Sequence, residues 1–180
     1  MYGIVNNAIK DLVINNFGTE KWEAIQERSG IEETYFISNE GYDDSITFKL
    51  AIAVSEEMNI PLNEVLIAFG EWWVIKTTKE KYSSLMQSGG NNLKEFLINL
   101  PMFHNRVMLI YPKLTPPEFK VTDVTDKSLY LHYFSKREGL QEFVRGLIQG
   151  LGKVYETPTA IELLKTRNEG DSHEIFKISW

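Results

Sequence analysis

The sequence predicts an α+β fold, with helices first and a small antiparallel sheet of about four strands after them. Apolar residues recur every three to four positions through the first third of the chain. After "LTPPEF" the spacing changes to alternation, which is the period of a strand with one buried face. One amphipathic stretch then separates the first alternating pair from a second. At 180 residues the chain suits one domain, or two subdomains sharing a core. The expected organisation is a single domain over 1–180, divided into a helical part over 1–60 and a part over 61–180 that carries the sheet.

The first helix is marked by Val5, Ile9, Leu12, Val13 and Phe17, with Gly18 as its stop. A short helix from about Thr19 to Arg28 follows, then one from about Ser45 to Met58 with Ile46, Leu50 and Val54 on one stripe. "GYDDS" supplies N-cap candidates for that third helix. From Pro61, "PLNEVLIAFGEWWVIKTT" reads as a longer helix that β-branched and polar residues loosen at its end. "SGGNN" breaks the chain. A helix from Leu93 to about Leu100 is expected to restart at Pro101, as a first-turn proline ahead of "MFHNRVMLIYP". "EFKVTDV" and "SLYLHYFSKR" are two antiparallel strands with a turn at Thr125 to Lys127. A helix from about Glu138 to Tyr155 leads to two further strands joined at "NEGD", and the last puts Phe176, Ile178 and Trp180 on one face.

Composition excludes several classes of function. A net charge of −6 without a basic stripe argues against a nucleic-acid partner. The absence of cysteine removes disulfides, thiolate zinc sites and cysteine nucleophiles, and fits a reducing compartment. "MYGIVNNAIKDLVINNFG" is interrupted by Asp11 and asparagines, so it reads neither as a signal peptide nor as a membrane span. A cytoplasmic protein with no membrane association is expected.

The strand ending in "LHYFSKREGL" puts Leu129, Leu131, Tyr133, Ser135 and Arg137 on one face. Three donors there converge beside apolar residues, a pattern suited to an anionic group at the edge of an apolar pocket, since arginine pairs bidentately with carboxylates. Ser135 has a competing reading as N-cap of a capping box with Glu138. His104 lies in an apolar helical row with Leu100, Val107, Met108 and Tyr111. It is either a satisfied core histidine or a ligand, and one axial imidazole suffices to hold haem iron, whose propionates are such anionic groups. A zinc or non-haem iron site needs further ligands, and no HxxxH or HExxH pattern exists. His132 and His173 fall on the opposite, solvated faces of their strands. "GLIQGLGK" misses the phosphate-loop pattern because Val154 follows the lysine, and Gly146 and Gly150 instead suggest close packing or approach to a flat ligand. No nucleophile has a credible base, so no enzyme is expected.

The opening "MYGIVNNAI", His104 in "LPMFHNRV", the "TPPEF" segment and Y-x-S-x-R in "YFSKR" together resemble the haem nitric oxide/oxygen-binding (H-NOX) family, of the bacterial stand-alone type and related to the sensor domain of soluble guanylate cyclase. The resemblance covers essentially the whole chain. It implies haem b (iron protoporphyrin IX) with His104 as the proximal iron ligand and Tyr133, Ser135 and Arg137 on the propionates. Pro117 matches the residue that presses on the porphyrin, and Ile4 or Val5 the apolar contact on its other side. Residues 1–60 correspond to the distal subdomain and 61–180 to the proximal one.

Family members that hold dioxygen resemble one another in a distal tyrosine on the helix after Y-x-S-x-R. Here that position falls on Phe143, or on Glu142 with a one-residue shift, and Leu140, Phe143, Val144 and Leu147 form an apolar ceiling. Trp73 is a further wall residue, as packing or as an indole donor. The resemblance therefore implies a sensor for nitric oxide, with carbon monoxide as a second ligand, that weakens the iron–His104 bond and shifts one subdomain against the other. Stand-alone relatives regulate a histidine kinase or a diguanylate cyclase. The rival reading is a haem-free α+β module that binds an apolar carboxylate through Arg137 and Tyr133.

Overall fold

The computed structural model describes residues 1–79, 82–110 and 115–180, so Tyr111, expected on the His104 row, lies outside the described residues. Helix α1 (Gly3–Phe17) ends where Gly18 adopts φ +88° and its amide donates to the Ile14 carbonyl at 2.9 Å. Helix α2 is Thr19–Ser29 and α3 is Asp44–Met58. Of the two aspartates in "GYDDS", Asp43 caps α3 by accepting from the Ser45 amide at 2.8 Å. Asp44 stands in the first turn, which leaves its carboxylate for other work.

Helix α4 (Leu62–Trp72) runs into a π-helical turn over Trp73–Thr78, where "WVIKTT" loosens the helix as its β-branched residues predict. The Thr78 hydroxyl donates to the Trp73 carbonyl at 2.8 Å across this turn. A short α5 (Ser83–Gln87) precedes α6 (Leu93–Ile110). The expected restart at Pro101 does not occur, because α6 continues through the proline. Leu93, Phe96, Leu97 and Leu100 are buried on one side of it, and that packing outweighs the bond the Leu97 carbonyl forgoes for want of a proline N–H.

Strands β1 (Glu118–Thr122), β2 (Ser128–Phe134), β3 (Ala160–Lys165) and β4 (Glu174–Ser179) form one antiparallel sheet in the order β1-β2-β4-β3. Helix α7 (Gln141–Val154) lies between β2 and β3 in sequence. It starts three residues later than expected, so "SKRE" forms no capping box. Ser135 Oγ accepts instead from the Arg137 amide at 3.0 Å, a local turn. The predicted inward row holds, with Leu129 and Leu131 fully buried and Tyr133 nearly so. Phe176 and Ile178 are buried opposite them, and Trp180 packs partly against the same core.

Two hydrophobic clusters result. One joins α1 to α4 through Ile9, Val13, Trp22, Ile25, Leu50 and Phe69. The other joins α6, α7 and the inner face of the sheet through Leu97, Ile148, Leu131 and Phe176. Trp73 packs on both, and Phe143 of α7 reaches the first. Helices α4 and α7 approach so closely that a methyl at Gly146 would lie 2.1 Å from the Ile67 carbonyl oxygen, and one at Gly70 would lie 2.2 Å from the Phe143 oxygen. Among the described residues no helix is long and apolar enough to cross a membrane.

Because those atoms are backbone and have nowhere to move, Gly146→Ala is expected to destabilise the protein by about 1–3 kcal/mol, read from urea unfolding. Gly41→Ala, where a methyl meets open space, is the control and should stay within about 0.5 kcal/mol of the parent.

Candidate functional site

A cavity of about 280 Å³ lies between the start of α1, the end of α4, α6, α7 and the inner face of β1 and β2. The residues that the sequence assigns to a haem site, Glu142 excepted, line this cavity. Ile4 and Val5 line it from α1, Trp73 from the π-helical turn, and Leu140, Phe143, Val144 and Leu147 from α7 and its approach. Pro117 reaches it ahead of β1, His104 from α6, and Tyr133, Ser135 and Arg137 from the end of β2. Glu142, the alternative to Phe143, does not line it and pairs with Arg145 at 2.8 Å. Phe143 packs on Phe69 with ring centroids 4.9 Å apart.

Among the described residues, His104 is the one basic nitrogen donor set into the hydrocarbon part of the wall. Its Nδ1 lies 3.2 Å from the Leu100 carbonyl, one turn back on the same helix. A carbonyl only accepts, so Nδ1 carries the proton and Nε2 keeps the lone pair. Burial holds the imidazole below its ordinary pKa, against the smaller opposing effect of that carbonyl, so it is neutral at neutral pH. The Phe119 ring, 5.1 Å away between centroids, and the Phe103 ring at 5.9 Å fix its plane. Phe119 in turn packs, tilted, against Tyr133 at 5.4 Å between centroids.

The polar rim is held by interactions that span most of the chain. Arg137 donates through Nε to Asp44 Oδ2 at 2.7 Å and through Nη2 to Oδ1 at 3.3 Å, and its Nη1 donates to the Thr115 carbonyl at 3.0 Å. The Met1 ammonium donates to the same Asp44 carboxylate at 2.5 Å. Desolvation works to raise the Asp44 pKa, but the hydrogen bonds and charges of Arg137 and the amino terminus outweigh it and hold the carboxyl below the usual aspartate value. Arg137 and the Met1 ammonium thus converge on one carboxylate, with Asp43 beside it in the sequence. Burial pushes the Tyr133 phenol above its usual pKa, with the Ser135 hydroxyl beside it acting the other way.

Behind this loop stands a buried ion pair with no signature in the sequence. Arg167 Nε lies 2.9 and 3.0 Å from the two oxygens of Glu174, a carboxylate that is only 2% exposed. The same guanidinium donates to the Ser135 carbonyl at 2.7 Å and to the Arg137 carbonyl at 2.9 Å. Arg167 therefore fixes the backbone on which Ser135 and Arg137 stand.

A family model described as haem-NO-binding matches residues 2–163. The chain belongs to this family, the H-NOX domains. Among curated relatives, the soluble guanylate cyclase gcy-32 of Caenorhabditis elegans is 32% identical over 156 residues, which cover 85% of this chain and 23% of that protein. The soluble guanylate cyclase subunit beta-2 of Rattus norvegicus is 31% identical over 109 residues, or 60% of this chain and 16% of the subunit. The chain thus spans about a quarter or less of these cyclases. Its fold is that of solved H-NOX proteins. One from K. algicida, in the unliganded Fe(II) form, superposes with a TM-score of 0.87 at 26% identity over 99% of this chain and 96% of its own. One from S. oneidensis, in the Fe(II)NO state, gives 0.90 at 20% identity over 99% and 98%.

Removing Arg167 strands the Glu174 carboxylate in the core. Arg167→Leu is expected to cost about 3–5 kcal/mol of unfolding free energy, and Arg167→Leu with Glu174→Leu to recover most of it, both measured by chemical denaturation.

Proposed function

We infer that this chain is a haem-based nitric oxide sensor that binds haem b, with His104 as the axial ligand. The observation that carries the reading is the state of His104, a neutral imidazole with its lone pair on Nε2, on the wall of an apolar cavity whose rim carries the Arg137 guanidinium. This donor set fits a flat, apolar, acidic macrocycle. Hydrocarbon walls cover its faces, Arg137 and Tyr133 meet its acid groups, and one imidazole serves its iron. Bound haem supplies the ferrous centre at which nitric oxide coordinates.

The residues of the chain orient and transmit. Burial keeps His104 deprotonated at Nε2, and the Leu100 carbonyl sets its tautomer and ring direction. Because its other nitrogen is tied to its own helix, a change in load on Nε2 passes to α6. Asp44 on α3 and Arg137 after β2 join the distal part, residues 1–60, to the proximal part, residues 61–180. A shift between those parts is the signal that a partner reads. The cyclases among the relatives support a nucleotide cyclase as that partner, and a histidine kinase is the alternative. The ceiling of Leu140, Phe143, Val144 and Leu147 offers a bound gas no hydrogen-bond donor, which favours nitric oxide, and carbon monoxide, over dioxygen.

An absorption spectrum tests this directly. Protein made with ample haem is expected to show a Soret band, and its absence would leave the module binding an apolar carboxylate through Arg137. His104→Gly is expected to lose haem or to need added imidazole, and an unchanged spectrum would refute the axial assignment. In air the ferrous protein should form no lasting oxy complex. A persistent one would point to a hydroxyl donor such as Tyr2, which lines the same cavity.

A further inference from the structure

The outer face of the sheet carries a second pair of imidazoles. His132 lies between Leu131 and Tyr133 on β2, so its side chain projects away from the cavity, which it does not line. Strand β2 pairs His132 with Ile175 of β4, and His173 stands diagonal to it, two residues earlier. The sequence assigns both to a solvated face, yet they are half-buried and meet. His132 Nδ1 is 2.9 Å from His173 Nε2, with ring centroids 5.2 Å apart. Phe134 stacks on His173 at 4.0 Å.

The protons in this group are determined by counting donors. The Thr122 hydroxyl has one hydrogen and donates it to Asp123 Oδ2 at 2.7 Å. Toward His132 Nε2, 2.9 Å away, it must therefore accept. Nε2 of His132 carries the proton, and its Nδ1 presents a lone pair to His173. His173 fills that lone pair with its own Nε2–H and accepts at Nδ1 from the Ser172 hydroxyl, 2.8 Å away. Both remote nitrogens thus rest on hydroxyls, the outer support that orients metal-binding imidazoles.

We propose that His132 Nδ1 and His173 Nε2 chelate a divalent transition-metal cation of the copper(II) or nickel(II) class. Two nitrogens about 2.0 Å from a metal lie about 2.8 Å apart when they are cis in a tetragonal field, and about 3.3 Å apart in a tetrahedral one. The 2.9 Å of the hydrogen bond lies close to the first, so the two rings need only turn until their lone pairs meet at the metal. Binding moves the His173 proton from Nε2 to Nδ1, where the Ser172 hydroxyl turns to accept it, so neutral imidazoles release no proton. Among the described residues no third histidine or carboxylate joins the pair in a metal-binding group, so water completes the coordination. Burial first, then the charges of His173 and of Lys120 across β1, holds His132 below its ordinary pKa, while Asp123 opposes them.

Copper(II) alone, added to the purified chain and followed by electron paramagnetic resonance, provides the test. One equivalent is expected to give an axial spectrum with splitting from two nitrogens. That signal should persist in His104→Gly and vanish in His132→Asn and in His173→Asn, each with an unchanged thermal midpoint. Thr122→Val should weaken binding by about 10-fold through loss of the outer hydrogen bond. A one-nitrogen spectrum in the parent protein, a two-nitrogen spectrum surviving in the double His132→Asn, His173→Asn variant, or its loss in His104→Gly would each overturn the proposal.

Discussion

The close approach of α4 and α7, with Gly146 against the Ile67 carbonyl and Gly70 against the Phe143 carbonyl, leaves no room for a side chain at either contact. Because the backbones touch, Phe143 and Trp73 are brought to the seam where both hydrophobic clusters meet. The same contact fixes the height of α7 above the sheet, and with it the span between the Leu147 side of the cavity and His104. Packed interiors transmit small displacements instead of absorbing them, so this seam sets the dimensions of everything it encloses.

Electrostatics at the rim follow a different logic. Arg137 serves two masters, a carboxylate from α3 and the loop carbonyl of Thr115, and its own backbone is gripped by Arg167. Being 22% exposed, and paired with an Asp44 that is 40% exposed, it contributes little net stability in its ion pair. The buried Arg167–Glu174 pair is the rigid part, since a carboxylate at 2% exposure cannot fall back on water. Arg137 is thus a pliable cation on a rigid mount.

Local periodicity carried most of what the sequence disclosed. Alternation in "SLYLHYF" placed Leu129, Leu131 and Tyr133 inward, and the apolar row through Leu100 put His104 on the cavity wall, because each signal lies within one element. What escaped depends on separation. Asp44 and Arg137 stand 93 residues apart, and "GYDDS" displays two equivalent carboxylates, of which the cap takes one. Arg167 and Glu174 flank a hairpin that reads as an ordinary polar turn. Ser135 looked like a cap because "SKRE" satisfies that pattern locally, while the start of α7 at Gln141 is decided by its packing on α4. Pro101 likewise signals a helix start in isolation and is overruled by the buried leucines before it.

That proline has a mechanical consequence. Upstream of it α6 is anchored, with Leu93, Phe96 and Leu97 essentially inaccessible, whereas downstream Met102 is 57% and Leu109 83% exposed. The missing amide removes one rung of the ladder a single turn before His104, so the helix is a buried post joined to an arm that Phe103, on the core, and Arg106, on the Ser88 carbonyl, still tie down. From 101 to 110 that arm is about 14 Å long, and a tilt of about ten degrees at the joint carries its tip through about 2 Å. The imidazole sits close to that joint, so a small displacement there would be geared into a larger one at the molecular surface.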